Sequence, residues 1–299
     1  MMVLRSMLFV PGNNPKMISK ATSLPADAII FDLEDAVPLT DKGTARSMVR
    51  DAIKTVKAGG PSVFVRINAL TTGFTAEDLN YIVIDGLDGV LLSKAETGDD
   101  IIKLDRMLKE VEDKSGTAAG TVKIIPILET ARGIIKAYEI ASAGERIVAT
   151  AFGAGDYYRD MGRSTASISP EQTELLFARS QVVIASRAAG VQAIDTAFFG
   201  LLTDLDSFRK EAMLALQLGF KGKILIHPTQ IDIANEVFSP SPDDIAGAQK
   251  VVKAFEEAQS KGLGATSLEG KMIDYMTYCQ AKDLIDFVDL LSSREVNRK

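Results

Sequence analysis

Short apolar runs rich in β-branched and aromatic residues recur along the chain. They fall at 6–10 (SMLFV), 28–34 (AIIFDLE), 62–68 (SVFVRIN), 89–93 (GVLLS), 122–128 (VKIIPIL), 146–152 (RIVATAF), 192–198 (QAIDTAF) and 222–227 (GKILIH). Between them lie longer segments of helical period, among them 99–114, 133–143, 170–189 and 206–218. Near-continuous apolar runs, rather than strict alternation, mark strands buried on both faces of a parallel sheet. Eight such strands joined by crossover helices predict an α/β fold, a closed (β/α)8 TIM barrel. An open doubly wound sheet is the alternative, but no G-x-G-x-x-G follows the first run. The Gly153/Gly155 pair in FGAGD is not that motif, and is expected to let the backbone turn tightly beside a site.

Beyond the eighth run the pattern changes. SPSPDD at 239–244 reads as a helix start, with Pro242 in the first turn and acids near the positive end of the helix dipole. A helix over 243–262 follows, stopped by Gly262 and Gly264, and the remaining tail carries an amphipathic helix of its own. The expected domains are a barrel at 1–235 and a helical arm at 236–299 that packs on a neighbouring subunit of a homo-oligomer. No internal repeat or low-complexity tract is visible.

Composition narrows the classes. With 299 residues, 46% hydrophobic and 25% charged, the chain reads as globular. A net charge of −6 argues against nucleic acid, whose phosphates call for basic patches. One cysteine, Cys279, and one histidine, His227, supply neither a disulfide nor a structural zinc set. The apolar stretch near the N-terminus is cut short by Pro11 and Gly12, unlike a signal peptide, and no run reaches membrane-spanning length. The expected location is the cytoplasm.

Polar residues collect where the runs end. Glu129 follows IIPIL and Asp156 follows FGAG, about one strand–helix–strand unit apart, so the two acids are expected side by side at one mouth of the sheet. Paired carboxylates there suit Mg²⁺, which takes oxygen ligands, keeps several waters and accepts one or two protein carboxylates. Helix capping is the structural alternative for each acid taken alone. Asp32, between Phe31 and Leu33, needs a cationic partner if buried, and Arg5 could supply it. Glu34 and Asp35 are placed to hold metal-bound water from a second layer. Arg66 either pairs with these acids or grips a substrate carboxylate or developing oxyanion. His227, before a proline, reads as a structural hydrogen-bonder, and Cys279, on an apolar helical face, as core. Lys16, Lys20 and Lys94 are loose candidates for binding phosphates.

These residues resemble the citrate lyase β-subunit family of the HpcH/HpaI aldolase superfamily. The likeness is carried by RSMLFVPGN (5–13), FDLEDAV (31–37), VRINA (65–69), ETARG (129–133), FGAGDY (152–157), FKGKILIHPTQI (220–231), VFSPS (237–241) and EGKMID (269–274). It implies a (β/α)8 barrel with a C-terminal helical extension, assembled as trimers or hexamers. It implies Mg²⁺ on Glu129 and Asp156, and a substrate arginine at Arg66. It also implies a catalytic acid from a neighbour's tail at Asp274, although Tyr275 stands where the family commonly carries proline. The implied reaction is Mg²⁺-dependent cleavage or formation of a 3-hydroxyacyl-CoA, such as citramalyl-, malyl- or citryl-CoA, giving acetyl-CoA and a 2-oxo acid. IHPTQ is similar to free-standing malyl- or citramalyl-CoA lyases. The alternatives are a citrate lyase complex subunit acting on citryl-acyl carrier protein, or a barrel that binds an oxo acid or acts as a thioesterase.

Overall fold

The computed structural model describes residues 2–169 and 171–297. The chain divides into two compact units, Met1–Phe238 and Ser239–Lys299. In the first, eight parallel strands close into a barrel: β1 (Ser6–Pro11), β2 (Ala28–Asp32), β3 (Ser62–Ile67), β4 (Gly89–Leu92), β5 (Lys123–Leu128), β6 (Ala149–Phe152), β7 (Gln192–Asp195) and β8 (Gly222–Leu225). Each strand pairs with its sequence neighbour, and β8 returns to β1 through Ser6–Lys223 and Met7–Ile224.

The two-residue period of the strands sorts side chains into two layers. Met7, Ala28, Ile30, Phe64, Leu91, Ile125, Ile127, Ala149, Ala151, Ile194 and Ile224 fill the barrel interior. Their alternates, such as Ile29, Phe31, Val63, Val65, Val90 and Ile124, pack in the larger outer core that takes in the helices. Continuing the interior register by one more step brings Phe9, Asp32, Arg66, Glu129 and Gly153 to the C-terminal rim. The interior is a plug of hydrocarbon capped by charge, the layered filling expected of such barrels.

Several expected helices differ in extent. The predicted 133–143 helix is two pieces, Ala131–Ile135 and Ala137–Ala141, because the backbone of Lys136 leaves helical dihedrals (φ −94°, ψ 14°). The helix expected from 170 begins only at Leu176. Gln172 ahead of it is left-handed, φ 51°, which no helix accommodates; Pro170 lies outside the described residues. Helices Gly98–Ser115 and Leu205–Leu218 fall close to expectation.

The second unit holds helix Pro242–Ser260, a hairpin of β9 (Thr266–Leu268) and β10 (Lys271–Ile273), and helix Tyr275–Asn297. The hairpin is not among the elements the sequence pattern predicts. Its signal is the Glu269-Gly270 pair, both at positive φ (50° and 80°), a two-residue turn whose twist matches antiparallel strands. Cys279, expected in a core, is only half-buried on this last helix. Among the described residues, no helix is long and apolar enough to cross a membrane.

Candidate active site

Asp32 ends β2 and is the register partner of Arg66 on β3. Arg66 donates from Nε to Asp32 Oδ1 (2.7 Å) and from Nη2 to Oδ2 (2.5 Å). Oδ1 and Oδ2 also accept the backbone N–H groups of Glu34 (2.9 Å) and Ala36 (3.0 Å), so Asp32 folds the turn that follows its strand. Burial opposes ionisation, but the Arg66 guanidinium and these two N–H groups outweigh it and hold the Asp32 carboxyl below its ordinary range. Arg5 is not its partner. Arg5 immediately precedes β1, at the opposite end of the barrel, and pairs instead with Asp27 (2.8 Å).

Arg66 therefore realises the structural reading of the sequence, an ion pair with the FDLED acids, and it does so twice. Nη1 also reaches Glu34 Oε2 at 3.1 Å, and the Phe9 ring lies 4.7 Å from the guanidinium carbon. Burial works against the charge of Arg66, while Asp32 and Glu34 raise its pKa further above its ordinary value. Glu34 is buried, and burial pushes its carboxyl up against the pull of Arg66 and Lys94. Behind it, the buried Lys42 ammonium donates to Leu33 O (2.6 Å), Glu34 O (2.7 Å) and Asn68 Oδ1 (2.8 Å), fixing the loop. Asp35 has an exposed side chain and meets this group through its backbone N–H, which donates to Glu34 Oε2.

Glu129 lies just past β5 and is only 3% exposed. It does not cap the following helix; Thr130 does, accepting from Gly133 N–H at 3.0 Å. The described hydrogen bond of the Glu129 carboxylate comes from the backbone N–H of Lys94 (2.8 Å). Burial, then the charge of Asp156, pushes the Glu129 carboxyl up to about 8. Asp156 sits in the first turn of helix Ala154–Asp160, beyond β6, which pairs with β5. Gly153, between β6 and that helix, has an ordinary φ of −110°, so it is not there for the tight turn expected from sequence. It is there for clearance: a Cβ at 153 would lie 2.5 Å from Glu129 Oε2 and 2.6 Å from Glu129 Cβ.

Lys94 completes the cluster. Its ammonium is 2.6 Å from Glu34 Oε1 and 3.9 Å from Asp156 Oδ1. Sequence marks Lys94 as the polar end of the fourth run and offers it as a loose phosphate binder, but nothing in LLSKAE signals these acidic partners. Arg159 also approaches Asp156, at 3.9 Å, but is 85% exposed and solvent-screened. Four carboxylates, Asp32, Glu34, Glu129 and Asp156, thus meet two well-held cations, Arg66 and Lys94.

The remaining candidates lie elsewhere. His227 is half-exposed and accepts from Thr229 N–H, in a reciprocal cap with Gln230. Lys16 and Lys20 are exposed on helix Pro15–Ala21. Asp274 belongs to the second unit, where its Oδ1 accepts from Thr277 N–H (2.9 Å) and Thr277 Oγ1 (2.8 Å). Those two bonds hold its carboxyl below the ordinary range.

Among the described residues, no group of three or more His, Cys, Asp or Glu side chains is set to hold a metal. Two carboxylates suffice for Mg²⁺. Four acids against two cations, one of the acids a buried carboxyl driven toward protonation, fit a hard divalent cation, which Glu129 and Asp156 would hold.

A closed parallel barrel with such a rim defines a barrel enzyme whose donor set suits a hard cation. The chain belongs to the HpcH/HpaI aldolase/citrate lyase family, which matches residues 5–228, and it is a carbon–carbon lyase. It is 42% identical over 270 residues to the citrate lyase subunit beta of Leuconostoc mesenteroides subsp. cremoris, covering 90% of this chain and 88% of that protein. It is 32% identical over 306 residues to the L-malyl-CoA/beta-methylmalyl-CoA lyase of Cereibacter sphaeroides, covering 97% and 96%. The CitE protein of Mycobacterium tuberculosis, solved with magnesium, acetoacetate and coenzyme A, matches with a TM-score of 0.74 and 30% identity over 94% of this chain and 96% of that one.

Proposed function

We propose that this protein is a Mg²⁺-dependent lyase that cleaves or forms a 3-hydroxyacyl thioester, giving acetyl-CoA and a 2-oxo acid. The observation that carries the reading is the buried Glu129 carboxyl beside Asp156 at the C-terminal mouth of a closed barrel. Support comes from a relative solved with magnesium, acetoacetate and coenzyme A, and from the malyl-CoA lyase relative.

Glu129 and Asp156 hold the cation. When bound, Mg²⁺ supplies Lewis acidity to the oxo-acid oxygens and offsets the charge that develops there. Arg66, locked on Asp32 and Glu34, adds a fixed positive charge that needs no reorganisation as the oxyanion forms. In cleavage the bond between C2 and C3 breaks, the 3-hydroxyl gives up its proton and becomes the oxo group, and the acetyl methyl gains a proton. Asp274 of a neighbouring subunit returns that proton, and removes it in the condensing direction. Its carboxyl is a weak base while Thr277 holds it, so seating the arm in a neighbour's barrel, with the desolvation this brings, is what raises its basicity. The arm is thereby part of the active site in a homo-oligomer, a trimer or hexamer.

A second reading has its own support. The citrate lyase β relative is more similar than the malyl-CoA lyase relative, 42% against 32% identity. In that reading the acyl group is citryl carried on an acyl carrier protein within a larger complex. The test is a Mg²⁺-dependent assay on malyl-CoA, citramalyl-CoA and citryl-CoA, following release of the oxo acid, with and without EDTA. EDTA-sensitive turnover of one ester establishes the free-standing lyase. Silence toward all three, with turnover of citryl-acyl carrier protein, establishes the complex subunit. No turnover of any ester or carrier, with an oxo acid still bound, leaves a binding protein and overturns both.

A further inference from the structure

Lys94 reaches three of the site acids at once. Its backbone N–H donates to Glu129 Oε1 (2.8 Å), and its ammonium lies 2.6 Å from Glu34 and 3.9 Å from Asp156. These acids come from three different strand ends, so no local sequence rule brings them to one residue. Its backbone is left-handed, φ 53°, a conformation that disfavours any residue with a Cβ and is kept only where the surroundings impose it. The turn takes the Lys94 N–H out of the strand ladder and aims it at Glu129, and the connection to β5 resumes at Ala95, which donates to Ile127 O. The side chain is one-third exposed, so its ammonium stands between the acid cluster and solvent.

We infer that Lys94 is a positioning residue that sets the charge and shape of the cation site. Its backbone turns one Glu129 oxygen, and its ammonium lowers the negative charge the cation meets and ties Glu34 to the Asp156 side of the mouth. The inference rests on Glu129 and Asp156 being the cation's ligands. A fixed positive charge beside those carboxylates weakens cation binding by simple Coulomb repulsion. The protein thus gives up metal affinity to hold Glu34 in place, and the two effects separate on substitution.

In Lys94→Met the main chain and side-chain bulk remain and the charge goes. Mg²⁺ is expected to bind about tenfold more tightly, while turnover falls about a hundredfold because Glu34 keeps Arg66 but loses the shorter of its two ion pairs. Lys94→Arg, which keeps the charge, restores Mg²⁺ affinity to within about threefold of the parent. A merely structural lysine would instead lower the melting temperature and weaken Mg²⁺ binding. The experiment titrates Mg²⁺ calorimetrically into the full-length parent, Lys94→Met, Lys94→Gln, Lys94→Arg and Glu129→Gln proteins, with thermal unfolding alongside. Tighter binding in the folded Met or Gln variant, reversed in Arg, bears the inference out. Equal or weaker binding in a folded neutral variant, with binding lost in Glu129→Gln, overturns it and leaves the cation site standing. Unchanged binding in Glu129→Gln overturns the cation site itself.

Discussion

The guanidinium of Arg66 is locked in a two-point fork on the Asp32 carboxylate, and the two residues are register partners on adjacent strands. The closed sheet therefore sets the position of the positive charge, and side-chain mobility does not. A lysine at this position would keep that charge but could not make the fork. Arg66→Lys is expected to lower kcat about a hundredfold with a smaller change in KM. Arg66→Met leaves two buried carboxylates without this partner and costs about 3 kcal/mol in urea unfolding. Parent-like kcat in Arg66→Lys would remove Arg66 from the chemistry.

Glu129 gives the metal-free protein a pH dependence of definite sign. Its folded carboxyl keeps its proton up to about pH 8, whereas the unfolded one releases it near the usual 4.5. Between those values the folded state binds the extra proton. The contribution of Glu129 to stability in EDTA is thus full below about pH 4.5 and is lost as pH rises toward about 8, where the folded carboxyl also ionises. Mg²⁺ should restore it and, at pH 7, release about one proton, which calorimetry in buffers of different ionisation enthalpy would read. Glu129→Gln should fold, flatten this pH profile and abolish metal-dependent turnover. A fully active variant rules out the ligand assignment.

Clearance at Gly153 can be probed against its neighbour. Gly153→Ala drives a methyl against Glu129 Cβ and Oε2, and is expected to weaken Mg²⁺ binding at least tenfold while costing about 1–3 kcal/mol. Gly155→Ala meets only the Phe199 ring at 3.5 Å, an ordinary contact, and should bind Mg²⁺ as the parent does. Equal affinity in the two variants would mean that Glu129 is not held against Gly153.

Asp274 carries two separable duties in the proposed mechanism. Asparagine can still accept the Thr277 N–H, so Asp274→Asn preserves the cap but cannot take a proton. Its melting temperature should be unchanged while kcat falls at least about a hundredfold. Normal turnover in this variant would place the base elsewhere.

Much of the frame is readable from the order of residues. The eight apolar runs are the eight barrel strands, because burial on both faces imposes continuous hydrophobicity whatever the neighbours are. Their polar ends mark the rim, and Glu129 and Asp156 stand out because each follows such a run. The misread details depend on distance in three dimensions. Arg5, near Asp32 in strand count, is the partner that sequence offers, but a parallel register sets Arg66 beside Asp32 and leaves Arg5 with Asp27 at the far end.

The sequence by itself determined the layers, the order of strands and the residue types that gather at one mouth, since alternation and run length are local properties of the chain. Tertiary structure alone decided which charges meet. The left-handed turn of Lys94, the clearance at Gly153 and the burial that lifts Glu129 all arise from strands brought together when the barrel closes. Charge pairing depends on separations of a few ångströms between residues far apart in sequence, and one chain read in order does not carry them.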